Sequence, residues 1–400
     1  MMNLAETRSP LVLEAHRHPR PAKRTGRVCA GVSALLIAAG CATGGSDAGR
    51  GDGQVAAGRG EVDLIAPSPK TVGPNGEQAQ PSADIVLTDE DLAALKRLEP
   101  PKAGVLWPAS FQFYKVASEG IRSELGKVDG KVIAETDSGY DPAVQANDVE
   151  NVMAQDPDII FTWLVDPVQG AQAFRPAAEA GVELSFMSNL PNGFEHPEDY
   201  VGVVTDDLYG MGQAAAEMMA DALGGSGQIG FVYHDADAFV TNQRDQAFKE
   251  TIENEFPDIE IVAEGGFAEP DQAYNVANDM VLQHPDLDGI YAAWAVPANS
   301  VVEALRANDK PDVKVITLDL DPTVAVDMAS GGNVAGIVAD VPHEIGRAMA
   351  VEALWGLIGK KAPPFVIVPT MKVTRDNLIT AWNESLKEDP PQEVLDALGN

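Results

Sequence analysis

Short apolar runs alternate along the chain with longer stretches whose apolar positions recur every three or four residues. The runs at 103–107, 131–135, 158–163, 182–187 and 200–204 predict strands. The stretch through Val116, Ile121 and Leu125 and those at 142–153, 169–180 and 208–223 predict helices. A second series follows, with strands at 228–233, 259–263, 288–293, 313–318, 334–338 and 365–369 and helices at 242–255, 271–284, 297–307, 322–329 and 343–358. Ahead of both, residues 87–98 read as a helix opened by a capping box, Thr88 with Asp91 three residues on. Near-continuous apolar strands belong to sheets buried on both faces, and strands alternating with helices build βαβ units. The expected class is therefore α/β with parallel sheets. The Gly-rich stretch at 224–227, just before a fresh strand, predicts a break into two lobes.

In open parallel sheets, ligands bind outside the carboxyl ends of the strands. Those ends hold the stretches 107–114, 163–166, 187–189 and 234–244, together with Trp294, Asp319 and Asp340. No G-x-S-x-G, Walker loop or H-E-x-x-H is present, so no catalytic residues, cofactor or metal are expected.

The pattern is different before residue 87. Arg17 to Arg27 form a basic segment, residues 28–37 a short apolar one, and Ala38, Ala39 and Gly40 precede Cys41. This is an export signal, too short to span a bilayer permanently. Cysteine at the cleavage position resembles a bacterial lipobox, with Ala38 where Leu is usual. The resemblance implies a signal peptide over 1–40 and a lipid on Cys41. Residues 41–86, rich in Gly, Ala, Ser and Pro without period, read as a flexible linker, and 87–99 as a lead-in helix.

Charge sharpens this division. The chain of 400 residues has 28 Lys and Arg against 61 Asp and Glu, a net charge of -33. The first 40 residues hold six of the basic and two of the acidic residues, so the remainder carries 22 against 59, a net -37. A nucleic-acid partner needs a basic face, so nucleic acid is excluded. The two cysteines, Cys29 and Cys41, both precede the part that folds, which leaves that part without disulfides or cysteine-based metal sites.

Six segments carry a resemblance: AEAGVELSFMSN (178–189), YVGVVTDDLYGMGQAAAEMM (200–219), TNQRDQAFKETI (241–252), HPDLDGIYAAW (284–294), VKVITLDLDP (313–322) and NVAGIVADVPHEIGRAMA (333–350). In this order they resemble the periplasmic sugar-binding proteins of ABC importers, the ribose-binding type. The resemblance implies two Rossmann-like lobes joined by a three-crossing hinge, the type I periplasmic-binding fold. Residues 100–206 and 341–368 would form the N-terminal lobe, and 207–340 and 369–400 the C-terminal one. The implied function is the extracytoplasmic solute-binding subunit of an importer, not an enzyme. It would bind a sugar or sugar-like molecule and dock on permease subunits. The protein would be a monomer, held at the outer membrane face by its lipid. A protein presenting ligand to a chemoreceptor or histidine kinase is the alternative.

Sugar recognition needs aromatic faces for the ring and polar forks for its hydroxyls. The family's first-strand loop corresponds to Trp107, Phe111 and Gln112, with Phe113 and Tyr114 divided between ring contact and lobe core. Its pocket arginine matches Arg244, a planar bidentate donor near Asn242. Asp319 and Asp340 match its acceptors, with helix capping or hinge bonding as their other reading. Trp163, Asp166, Ser188, Asn189 and Trp294 complete the expected set, and His234 either touches ligand or caps its loop. Five positions at three sites depart from the family: Ser188 and Asn189 replace Asp-Arg, Trp294 and Ala295 replace Asn-Asp, and Trp163 replaces a small or amide residue. These departures imply a pocket with fewer charged forks and more aromatic surface, suited to a less hydroxylated or bulkier ligand.

Overall fold

The structure, a computed structural model, describes residues 57–399. The expected signal, the lipobox with Cys41 and the first part of the linker lie outside them. Two short strands, β1 (Leu64–Ile65) and β2 (Gln80–Pro81), come first, followed by α1 (Asp89–Leu95). The first alternating series is β3 (Lys102–Trp107), α2 (Gln112–Gly126), β4 (Lys131–Asp137), α3 (Pro142–Met153), β5 (Ile159–Trp163), α4 (Pro167–Ala180), β6 (Glu183–Met187) and β7 (Gly202–Asp206). The second begins with α5 (Leu208–Leu223), β8 (Gly227–His234), α6 (Phe239–Glu255), β9 (Ile259–Phe267), α7 (Ala273–Gln283), β10 (Gly289–Ala292) and α8 (Ala295–Ala307). It continues through β11 (Lys314–Leu318), α9 (Pro322–Ala329) and β12 (Val334–Ala339). The chain ends with α10 (Pro342–Leu357), β13 (Phe365–Val368), β14 (Thr370–Val373), α11 (Leu378–Leu386) and α12 (Gln392–Gly399).

These strands form two seven-stranded sheets, ordered β2-β13-β7-β6-β5-β3-β4 and β1-β14-β12-β11-β10-β8-β9. Pairing is parallel throughout the first. In the second, β14 runs antiparallel to both β12 and β1. The apolar runs account for this burial: Ile159, Ile160 and Phe161 of β5 are fully enclosed by helices on both sheet faces. The chain passes between the sheets after Asp206, after Ala339 and at Pro369. The strand expected over 365–369 forms as β13 and ends at Pro369, which has no N–H to continue a ladder; the chain then enters β14 on the other sheet.

Glycines set the closest helix contacts. A Cβ on Gly346 of α10 would stand 1.8 Å from the Ala117 carbonyl oxygen of α2, and one on Gly212 of α5 would stand 2.1 Å from the Arg244 carbonyl oxygen of α6. The second contact seats Arg244 directly. The capping box at Thr88 forms as expected, with both reciprocal bonds to Asp91.

The segment expected to be flexible differs most. Its described part, residues 57–86, is packed: Leu64 and Ile65 pair with Met371 and Thr370, and Gln80 and Pro81 pair with Val366 and Ile367. Two-residue strands have no detectable period, and Gly and Pro here shape turns rather than confer freedom. The pattern also predicted nothing beyond residue 369, where β14, α11 and α12 form.

Candidate functional site

The carboxyl ends of β7, β11 and β12 bring three aspartates around one arginine. Arg244, on the first turns of α6 and 5% exposed, places Nη1 3.0 Å from Asp319 Oδ1. Its Nη2 lies 3.4 Å from Asp340 Oδ1 and 3.6 Å from Asp206 Oδ2. The groups expected as separate ligand contacts are therefore bound first to one another. Asp206, read from sequence only as a hinge crossing, joins them and adds a carboxylate to a pocket expected to be poor in charged forks. Two atoms of this cluster are buried without a partner: Arg244 Nε, a donor, and Asp206 Oδ1, an acceptor.

Electrostatics follow from burial. Burial pushes the Asp206 carboxyl up to about 6, against the pull of the Arg244 guanidinium. Burial and the neighbouring carboxylates of Asp206 and Asp319 raise Asp340 well above the usual carboxylate range, against the pull of Arg244. Burial opposes the charge on Arg244, but Asp319, Asp340 and Asp206 together outweigh it and hold the guanidinium charged. Three carboxyl groups thus surround one guanidinium, so the cluster holds more acidic than basic groups.

The opposite lobe contributes Tyr114. This buried ring of α2 has its hydroxyl pKa raised by burial, by neighbouring Tyr140, and by Asp319 and Asp340 across the cleft. Trp107, expected as a ligand face, packs behind it instead, stacked at 5.4 Å with its indole N–H donated to Ser118 Oγ at 2.8 Å. Trp163, partly buried, meets Tyr140 edge-on at 6.0 Å. Phe111 is 63% exposed at the start of α2, beside half-buried Gln112.

Polar candidates on this lobe already have structural partners. Asp166 caps α4, accepting from the Val168 and Gln169 N–H groups. Ser188 Oγ lies 2.8 Å from Thr205 Oγ1, and Asn189 Nδ2 donates to the Leu164 carbonyl at 3.1 Å.

In the C-terminal lobe, His234 contacts Thr241 through Nδ1 at 2.9 Å, and burial lowers its pKa. It meets Trp294 edge-on at 5.1 Å, and Phe267, at the end of β9, lies 5.1 Å from the same indole. Trp294, partly exposed, thus presents an apolar wall beside the charged cluster. Asn242 lies on the exposed face of α6. Asp245, buried beside Arg244, accepts from the Tyr291 hydroxyl at 2.8 Å and the His234 N–H at 3.0 Å.

Three residues at strand-end loops take left-handed backbone: Tyr140 at φ 58°, Ser188 at φ 60° and Asp319 at φ 66°. Such conformations cost roughly 1–2 kcal/mol for a residue with a Cβ and concentrate at functional sites. Among the described residues, no group of three or more His, Cys, Asp or Glu has metal-holding geometry; the guanidinium fills the space between the three aspartates.

The family model described as periplasmic binding protein domain matches residues 104–362. Over 261 residues the chain is 24% identical to the xylitol-binding protein of Mycolicibacterium smegmatis, covering 64% of this chain and 72% of that one. Over 277 residues it is 23% identical to the ABC transporter periplasmic-binding protein YphF of Escherichia coli, covering 68% and 79%. The solved arabinose binding protein AraP of Geobacillus stearothermophilus superposes with a TM-score of 0.64 at 22% identity, over 70% of this chain and 98% of that one.

Proposed function

The chain belongs to the periplasmic binding protein domain family, and on that premise we propose that it serves an ABC importer by binding a neutral polyhydroxylated molecule, a sugar or polyol, between its lobes. It is a binding protein rather than an enzyme, and the family is one that works outside the cytoplasm. Tethering through a lipid on Cys41, docking on permease subunits and action as a monomer belong to the same reading.

The observation that carries it is the pair of unpartnered buried atoms, Arg244 Nε and Asp206 Oδ1. Leaving a buried donor or acceptor unbonded costs about 1–3 kcal/mol. A hydroxyl donates and accepts at once, so its chemistry matches an unpartnered donor and an unpartnered acceptor. The aromatic surface of Trp163 and Trp294 suits the CH faces of a carbon chain or ring. The excess negative charge disfavours acidic ligands. Ligand touching Tyr114 and Trp163 on one lobe and Asp319 and Trp294 on the other favours the closed arrangement by its contacts with both. The relatives named for xylitol and arabinose support the choice of chemistry.

A thermal-shift screen over xylitol, arabinose and other neutral sugars and polyols tests this reading. Ligand at 100 times its Kd adds about 2.7 kcal/mol of stability, so at least one compound gives a clear rise in Tm. The rise disappears in Arg244→Met. No shift with any neutral polyol, or an undiminished shift in the variant, contradicts the reading.

A further inference from the structure

We propose that residues 64–81 are a strap that crosses the hinge as a fourth connection, restricts how far the lobes open, and positions the Asp206 end of the binding cluster. The segment lies ahead of the matched family region, which begins at residue 104. It adds an edge strand to each sheet: β1 to β14 on one lobe and β2 to β13 on the other. Since β13 and β14 flank the Pro369 crossing, the strap runs beside that crossing and joins the same two edges.

Between its strands the strap grips the hinge at a second crossing. Thr71, fully buried, donates its hydroxyl to Asp207 Oδ1 and accepts from the Tyr209 N–H at 2.9 Å. The Ser68 N–H donates to Asp207 Oδ2 at 2.5 Å. Asp207 directly follows Asp206 and caps α5 through the Gly210 N–H. Val72 exchanges two backbone bonds with the side chain of Gln243, the neighbour of Arg244, at 3.1 and 3.0 Å. On the other lobe, Ser82 donates to Glu344 at 2.9 Å, and Arg347 donates to the Ser82 and Ile85 carbonyls.

Composition makes this segment stiff. Pro67, Pro69 and Pro74 each fix a backbone φ within it. A Cβ on Gly73 would come within 3.0 Å of the Phe365 ring, so the turn lies directly against β13. A stiff piece bonded to both lobes opposes rotation of one against the other. Thr71 is a positioning residue: it touches no ligand and acts through Asp207.

The test measures lobe separation in the full-length chain. Fluorophores are attached through unnatural amino acids at Val168 and Val296, exposed positions on opposite lobes, and energy transfer is recorded first without ligand. Thr71→Val removes the hydroxyl at nearly constant shape. It broadens the distance distribution toward larger separations, and Thr71→Ser restores it. Gln243→Ala, on a half-buried site that folding tolerates better, gives the same direction of change. Xylitol, taken as probe, binds roughly tenfold more weakly to Thr71→Val, the loss of about one bond to a charged group. This last readout rests on the proposed function, but the ligand-free distances do not. Absent xylitol binding by the wild type with altered distances in the variants therefore counts against the function and for the strap. Distances unchanged in both Thr71→Val and Gln243→Ala overturn the strap.

Discussion

Arg244 and Glu352 are both enclosed, yet only the first has charged partners. Arg244 meets three carboxylates. Glu352 of α10 has no exposure and neither carboxylate oxygen hydrogen-bonded. Burial alone raises the Glu352 carboxyl well above its ordinary value. A carboxyl whose folded pKa is raised stabilises the fold fully only below its unfolded pKa. That contribution is lost as pH climbs through the folded value. Glu352→Gln removes the titration, so the variant exceeds the wild type in stability at pH 8 by at least about 1 kcal/mol. The gap closes toward pH 4, as calorimetric melts at the two pH values will record; a gap independent of pH contradicts this assignment. At this scale the sequence singles out Asp319 and Asp340 because each ends an apolar run, and Arg244 because its segment resembles the family's. It did not reveal that they bind one another, since pairing depends on how the two sheets meet. Asp206 was equally legible at the end of its strand but carried no distinguishing neighbour. Trp107 misled because a strand-end aromatic can face the cleft or the core, and only its bond to Ser118 decides.

Among the elements, the contact between α5 and α6 decides where the guanidinium sits. Gly212 allows the α6 backbone to approach, and any side chain there collides with the Arg244 carbonyl. Gly212→Ala therefore displaces α6 and weakens ligand binding at least about tenfold, although alanine is the better helix former. Titration against xylitol or arabinose checks this, and binding equal to wild type rejects it. The long strands and helices were legible because they bury whole faces and so must be periodic. The shortest elements were not. β1 and β2 exist only because β14 and β13 offer open edges, and nothing in residues 64–65 or 80–81 announces a partner three hundred residues away. Pro and Gly in that segment signalled freedom, whereas in the fold they fix turns.

For the whole molecule, two sheets, three crossings and a strap place one charged cluster between lobes that are otherwise built of apolar strands. The chain's net charge of -33 is repeated in miniature inside the cleft, where Arg244 is outnumbered. At an effective dielectric constant near 20, two like charges 4 Å apart repel by about 4 kcal/mol, enough to separate neutral from acidic ligands that share a carbon skeleton. The most direct measurement is a calorimetric titration of the full chain at pH 7.5 with the neutral sugar or polyol that raises its Tm most and with the carboxylate counterpart of that compound. Saturable binding of the neutral compound and at least about 100-fold weaker binding of its carboxylate are expected. Carboxylate binding as tight as that of the neutral compound, or tighter, would contradict the proposed function.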